Sequence, residues 1–416
     1  MTHVNSARLW QRHMTLAEIG ATPKGGNNRQ ALTDEDILAR KQFIAWCEAA
    51  GCNIRIDQIG NIFARREGLN PSLAPVMTGS HLDTQPTGGR FDGIYGVLAG
   101  LEVIETLNDH GITTDAPVEV VVWCNEEGCR FTTAMMGSAV WSGNMPIADA
   151  LALADPTGTT VADELARTQH AGTHPAEAFP ARAFVEAHIE QGPILELTDT
   201  VIGVVQGVQN MSRHEIVITG QEVHAGPTPM TMRKDPMRAL AAFLPALYAM
   251  AEEQGEHARL TFGVIHASPG SNNTVPGELR MTVDIRHPDG RVYQSMVDSA
   301  YQLVRSACEA EQCPVEIRCF FEAPGVEFNQ QCVEAVAAAV TRLGYSHREM
   351  VSGAGHDACN VASVVPTAMI FVPCKGGISH NEAESAEPEH LEAGANVLLN
   401  ALIELSTDKS GSAVHG

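Results

Sequence analysis

Five short segments of this 416-residue chain set acidic and imidazole side chains beside apolar runs. GSHLDTQPTGGRFDG offers His81, Asp83 and Asp92. WCNEEGCRF offers adjacent Glu126 and Glu127, and EAHIEQG offers His188 and Gln191. HAGPTPM carries His224, and GGISHNEAE carries His380. Imidazole nitrogen and carboxylate oxygen are the donors that a zinc-like divalent ion takes in a near-tetrahedral set. Two ions ~3.5–4 Å apart are most simply held by one shared carboxylate. Three histidines and two carboxylates meet that need: His81 and His188 on one ion, Glu127 and His380 on the other, Asp92 between them. Glu126 then remains as a spare acid, suited to deprotonating an activated water and handing the proton to a leaving nitrogen. Asp83, two residues after His81, is expected to accept the second imidazole N–H and fix its tautomer.

Each segment alone is weak. A single histidine near a strand end is more often a satisfied polar residue than a ligand, and paired glutamates usually mark a solvated face. Here the pair follows the apolar run PVEVVVWC, where two charges would be costly to leave without partners. The five segments together are what point to a metal site.

Elements that could bring these segments together are visible. Residues 117–124 are rich in β-branched side chains and read as a buried strand, as do 74–78 and 367–372. Between the first two, Ile94, Val97, Leu98, Leu101, Ile104 and Leu107 recur at helical spacing. Such alternation implies an α/β layered domain with a largely parallel sheet, whose ligand sites gather at the carboxyl ends of the strands. The middle of the chain differs. Strands are expected at 215–219, 260–268, 279–285 and 315–321, with helices at 234–254 and 290–311. This β-α-β-β-α-β order is that of a ferredoxin-like unit. The expected organisation is a catalytic domain in two parts, 1–211 and 324–416, around an inserted domain at 212–323. A helix near 388–405 completes the first, and the polar tail TDKSGSAVHG is expected to be disordered.

Bulk composition narrows the function. Lys+Arg number 27 against 50 Asp+Glu, a formal charge of −23, which argues against nucleic acid or anionic membranes as partners. No run of ~18 apolar residues suggests a membrane span, and MTHVNSARLWQRHM lacks the apolar core of a signal peptide. The ten cysteines are scattered without a CxxC pair. They read as reduced thiols of a cytoplasmic protein rather than as a thiolate zinc site.

The set GSHLDT…GGRFDG, NEEG, HIEQG, HAGPTPM and GGISH resembles the M20 metallopeptidase superfamily, and within it the amidohydrolase branch. That branch comprises N-carbamoyl-L-amino acid hydrolases, β-ureidopropionases and allantoate amidohydrolases. The likeness runs from about residue 25 to 405. It implies a zinc-peptidase-like α/β catalytic domain with a smaller lid that also dimerises, hence a homodimer. It also implies two divalent ions, zinc first, with manganese, cobalt and nickel accepting similar ligands. The resemblance gives the same ligands: His81, Asp92 and His188 at one position, Asp92, Glu127 and His380 at the other, with Glu126 as catalytic base. His188 in HIEQG is typical of the carbamoyl-cleaving branch, where peptidases carry a carboxylate.

The resemblance further implies substrate contacts. Arg286 in VDIRH matches an arginine that grips the substrate carboxylate, a task suited to its planar fork. Asn273 and Gln191 match polar contacts to the carboxylate or ureido end. His224 matches a lid histidine that polarises the scissile carbonyl, with Gly226 permitting close backbone approach. SGAGHDA matches a pocket-lining loop; His356 and Asp357 within it are equally readable as a structural pair. Pro227, Cys374 and Lys375 depart from the usual pattern, which bears on substrate preference. The expected activity is hydrolysis of the carbamoyl C–N bond of an N-carbamoyl (L-α or β) amino acid. Allantoate hydrolysis, peptidase or deacylase activity, and metal-containing ligand binding without catalysis are the alternatives.

Overall fold

The computed structural model describes residues 2–408; from residue 409 the tail expected to be disordered lies outside them. The strands are β1 (Asn53–Ile56), β2 (Ile62–Arg66), β3 (Val76–His81), β4 (Val118–Trp123), β5 (Ala183–Ile189), β6 (Ile202–Val208), β7 (Asn210–Thr219), β8 (Val223–His224), β9 (Arg259–Ser268), β10 (Thr274–Val275), β11 (Glu278–His287), β12 (Val315–Ala323), β13 (Val326–Glu327), β14 (His347–Ser352) and β15 (Thr367–Val372). The chain divides into two compact units: Val208–Val326, and the segments on either side of it.

The larger unit is built on a nine-stranded mixed sheet ordered β1-β2-β4-β3-β5-β15-β6-β13, with β14 on β6. Its centre, β4-β3-β5-β15, is parallel; β1 and β2 pair antiparallel, β2 runs antiparallel to β4, and β6 runs antiparallel to β15. Every residue of β3, β4, β5 and β15 is buried, as expected where helices cover both faces of parallel strands. This explains the β-branched run VEVVVW. Helix Ile94–Asp109 follows β3 and buries its isoleucine, valine and leucine side chains. Helix Pro388–Ser406, with proline in its first turn where no N–H is needed, closes the unit. The parallel block turns the carboxyl ends of four strands, and the segments that follow them, toward one edge.

The smaller unit has a four-stranded sheet ordered β12-β7-β11-β9, all antiparallel. Helices Pro236–Glu253 and Gly290–Ala310 lie in its connections, each capped by an aspartate, Asp235 and Asp289. Phe243, Leu247, Met296 and Val304 from the helices pack with Ile216, Ile218, Met281 and Ile285 from the sheet. The order along the chain is β-α-β-β-α-β. β7 begins at Asn210, earlier than the apolar pattern indicates, because Ser212, Arg213 and His214 mask its amino-terminal half. β8 and β10 form a separate two-stranded ribbon, too short for any periodic signal.

All ten cysteines are free thiols. Among the described residues no helix is long and apolar enough to cross a membrane.

Candidate metal centre

His81 is the last residue of β3 and His188 lies near the end of β5. Glu126 and Glu127 follow β4, His380 follows β15, and Asp92 sits in the turn that opens helix Ile94–Asp109. These residues converge into two ligand groups, His81–Asp92–His188 and Asp92–Glu127–His380, with Asp92 common to both. Its two oxygens divide the task. Oδ1 lies 3.3 Å from His188 Nε2 and 4.0 Å from His81 Nε2. Oδ2 lies 3.3 Å from His380 Nε2, which is also 3.4 Å from Glu127 Oε2.

The imidazoles are oriented for cation binding. His81 Nδ1–H donates to the Asp83 carbonyl over 2.9 Å, and His188 Nδ1–H to the Ile189 carbonyl over 2.8 Å. Each Nε2 therefore faces the Asp92 carboxylate, the side on which a metal would be bound. Burial alone would disfavour charge on His188, but its bond to Asp92 and the charges of Asp92 and Glu186 outweigh it and raise the ring to about 9. The bond to Asp92 likewise raises His380 to about 9. Imidazole nitrogen and carboxylate oxygen gathered in this way are the donor set that a divalent cation takes.

Backbone geometry serves the same end. His380, Gln191 and Asn125 all adopt left-handed conformations, with φ of 53°, 58° and 54°, the kind of strain held in place at functional sites. Gly93 has φ 72° and borders the His81 ring so closely that a Cβ there would overlap it; only glycine fits.

Glu126 and Glu127 are both buried enough to resist ionisation. Burial, then the charges of Asp357, Glu127, Asp83 and Asp92, push Glu126 well above the usual carboxylate range. Burial and the Asp92 charge raise Glu127 to about 8. Glu126 Oε2 is 3.4 Å from His81 Nε2, beside the ligands without completing either group. Asp83 accepts the His81 N–H as expected, but through its backbone rather than its side chain. Its carboxylate oxygen is 3.9 Å from His81 Nδ1, and its backbone carbonyl fixes the ring instead. The carboxylate accepts the N–H groups of Glu126 (3.2 Å) and Glu127 (3.1 Å). In a turn this tight the carbonyl reaches the ring first, which frees the side chain to hold the glutamate pair.

Gln191 Nε2 donates to Asp92 Oδ2 over 3.0 Å, so its amide braces the shared carboxylate. The buried His356 ring packs edge-on to His188 at 4.6 Å between centroids and bonds Ser352 Oγ through Nε2 at 3.0 Å. Ser138 donates to buried Asp357, 2.5 Å away. His356 and Asp357 thus do not pair with each other by hydrogen bond, which sets aside the structural-pair reading in that form. Glu186, absent from the sequence reading, is buried in β5 and accepts from Ser80 Oγ and the Ala358 N–H. With His188 and His356 it forms a third buried group whose donor atoms lie within 4.8 Å of one another; its neighbours in sequence, Val185 and Ala187, are apolar, and nothing in the pattern singles it out.

The remaining expected contacts lie in the smaller unit. His224 pairs with Thr274 across the β8–β10 ribbon, and the Asn273 carbonyl accepts the Ala225 N–H at 2.8 Å, so His224 and Asn273 are brought side by side. The Gly226 N–H donates to His224 Nδ1 over 3.0 Å. The ring proton is thereby placed on Nε2, ready to be donated. Arg286 lies within β11 and meets Asp284 through Nε (2.6 Å) and Nη2 (3.0 Å).

The sequence pattern of the peptidase family M20/M25/M40 matches residues 77–404. The chain belongs to this family. Enzymes of this family are metal-dependent, in keeping with the candidate ligand groups, and similar proteins narrow the branch. An N-carbamoyl-L-amino-acid amidohydrolase of Rhizobium meliloti is 46% identical over 409 residues, covering 96% of each chain. An allantoate amidohydrolase of Escherichia coli (strain K12) is 33% identical, covering 95% of this chain and 96% of its own. The crystal structure of an amidase of the hydantoinase/carbamoylase family from Burkholderia multivorans superposes with a TM-score of 0.95 at 47% identity, covering 98% and 99% of the two chains.

Proposed function

We propose that this M20 protein is a dinuclear metal-dependent amidohydrolase that cleaves the carbamoyl C–N bond of N-carbamoyl-L-amino acids. The observation that carries the reading is Asp92, whose two oxygens face two separate ligand groups while Glu126 stands beside them uncommitted. The 46% identity to the Rhizobium meliloti enzyme supports the substrate class.

Divalent ions held by His81, Asp92 and His188 and by Asp92, Glu127 and His380 would polarise the carbonyl and acidify a water; zinc suits the donors best, with manganese, cobalt and nickel close behind. Glu126, which stands beside the ligands without completing either group, takes the water proton as oxygen adds to the carbamoyl carbon. His224 donates from Nε2 to the developing oxyanion. The bond to the terminal nitrogen then breaks, Glu126 passes its proton to that nitrogen, and ammonia leaves. The remaining carbamate loses carbon dioxide to give the amino acid. Arg286, Asn273, Gln191 and His356 are the proposed contacts to the carboxylate and ureido ends of the substrate.

A homodimer through the smaller unit fits its exposed apolar residues, Val264 and Ile265 on β9 and Phe320 and Phe321 on β12, the two edge strands of its sheet. A cytoplasmic location suits ten free thiols. Allantoate, a longer ureido acid, is the second reading, favoured by the 33% identity to the Escherichia coli enzyme. Ammonia release from N-carbamoyl-L-amino acids, N-carbamoyl-β-alanine, allantoate and a dipeptide separates these. The expected best substrate is an N-carbamoyl-L-amino acid; release only from allantoate selects the second reading, and cleavage of the dipeptide alone contradicts both.

A further inference from the structure

Glu384 is 1% exposed and takes no part in the ligand scheme or the chemistry above. Oε1 accepts the N–H groups of Phe91 (2.8 Å) and Asp92 (3.1 Å). Oε2 accepts the Ser379 hydroxyl at 2.9 Å, and that same hydroxyl lies 3.1 Å from Asp92 Oδ2. One carboxylate thus grips the backbone of the shared ligand from behind, and the Ser379 hydroxyl, with one proton for two oxygens, stands between it and Asp92 Oδ2. Ser379 directly precedes His380, so the loop bearing a second ligand is tied to the same anchor. Gly89 leaves the room this requires, since a Cβ there would overlap the Glu384 carboxyl group. Without Glu384, two N–H groups at a buried turn would lose their acceptor, a costly loss.

We propose that Glu384 is the positioning residue of the dinuclear centre. It fixes Asp92 so that Oδ1 faces His81 and His188 while Oδ2 faces His380 and Glu127. The proposal rests on the two-ion reading. Glutamine at this position keeps one oxygen for the two N–H groups, and an amide facing Ser379 leaves the hydroxyl proton to Asp92. Alanine removes every contact.

The test is calorimetric titration of chelator-stripped full-length protein with Zn²⁺, paired with visible absorption of the Co²⁺ form. Wild type takes up two equivalents. Glu384→Ala is expected to weaken at least one site roughly 10–100-fold, the usual effect of losing an outer hydrogen-bond partner, and to alter the cobalt spectrum. Glu384→Gln restores both. A folded Glu384→Ala protein with wild-type affinities and spectrum overturns the proposal. Where that variant does not fold, Ser379→Ala decides: weakened uptake supports the proposal, and unchanged uptake overturns it. A wild-type titration that ends at one equivalent is a different failure, that of the two-ion reading itself.

Discussion

The Asp83 carboxylate accepts the backbone N–H of Glu126 across 3.2 Å, while its own carbonyl takes the proton of His81 Nδ1. One residue therefore sets both the ring of a candidate ligand and the turn carrying the candidate base. Its second oxygen holds the Glu127 N–H, so the two glutamates are fixed relative to His81 by a single side chain.

Asp83→Asn should expose that dependence. An amide cannot accept from both N–H groups, and its NH₂ would oppose one of them. The expected result is a fall in kcat of roughly 10–100-fold, in the range of outer-sphere metal-site changes, with KM little altered. Steady-state kinetics on an N-carbamoyl-L-amino acid checks it; unchanged kcat would remove Asp83 from the account.

Glu126→Gln should separate base from ligand. The amide is near-isosteric and Glu126 completes neither ligand group. Metal content is expected to match wild type while kcat falls at least ~10²-fold, the lower end for a general acid–base. Loss of metal in proportion to activity would make Glu126 a ligand instead.

Arg286→Ala should act on binding. A charge-assisted bond of about 1.5–3 kcal/mol corresponds to a rise in KM of roughly 10–150-fold, with a smaller effect on kcat. The same substitution should leave the hydrolysis of an uncharged ureido analogue, such as the substrate amide, almost unaffected. An equal loss on both compounds would point to damaged folding around Asp284 and Arg213 rather than to a lost carboxylate contact.

Acid stability should depend on His13. This ring is buried between Phe91 and Tyr95, and burial lowers it from 6.5 to about 3. The unfolded chain therefore binds a proton below pH 6.5 that the folded chain refuses until about pH 3, so stability is complete above pH 6.5 and falls as pH drops through that window. Denaturant midpoints of chelator-treated protein at pH 7.5 and 5 are the measurement. His13→Leu should lose about 2 kcal/mol less than wild type over that interval; identical losses would show that His13 titrates freely.

Much of this was legible in the sequence for identifiable reasons. The ligands stand in short motifs at the ends of strongly apolar strands, so residue type and element boundary coincide. β15 is marked by the run TAMIFV, set between Pro366 and Pro373. Strand β3 extends to His81 because Gly79 and Ser80, neutral in any hydrophobic pattern, are part of it. Glu384 lies inside GGISHNEAE, yet an acid four residues past a histidine carries no periodic sign of burial. The contact of Asp83 with the His81 ring is legible from a spacing of two, but that spacing brings both its carbonyl and its carboxylate within reach, and only the turn geometry selects the carbonyl. The β8–β10 ribbon pairs two dipeptides, so the adjacency of His224 and Asn273 is a tertiary fact with no local signature.

The most direct test of the central claim is to strip the protein with chelator and restore Zn²⁺ in measured equivalents while assaying ammonia from an N-carbamoyl-L-amino acid. The stripped protein should show no turnover, activity should rise until two equivalents are bound, and one amino acid should form per ammonia. Turnover without metal, or none at any metal loading, would contradict it.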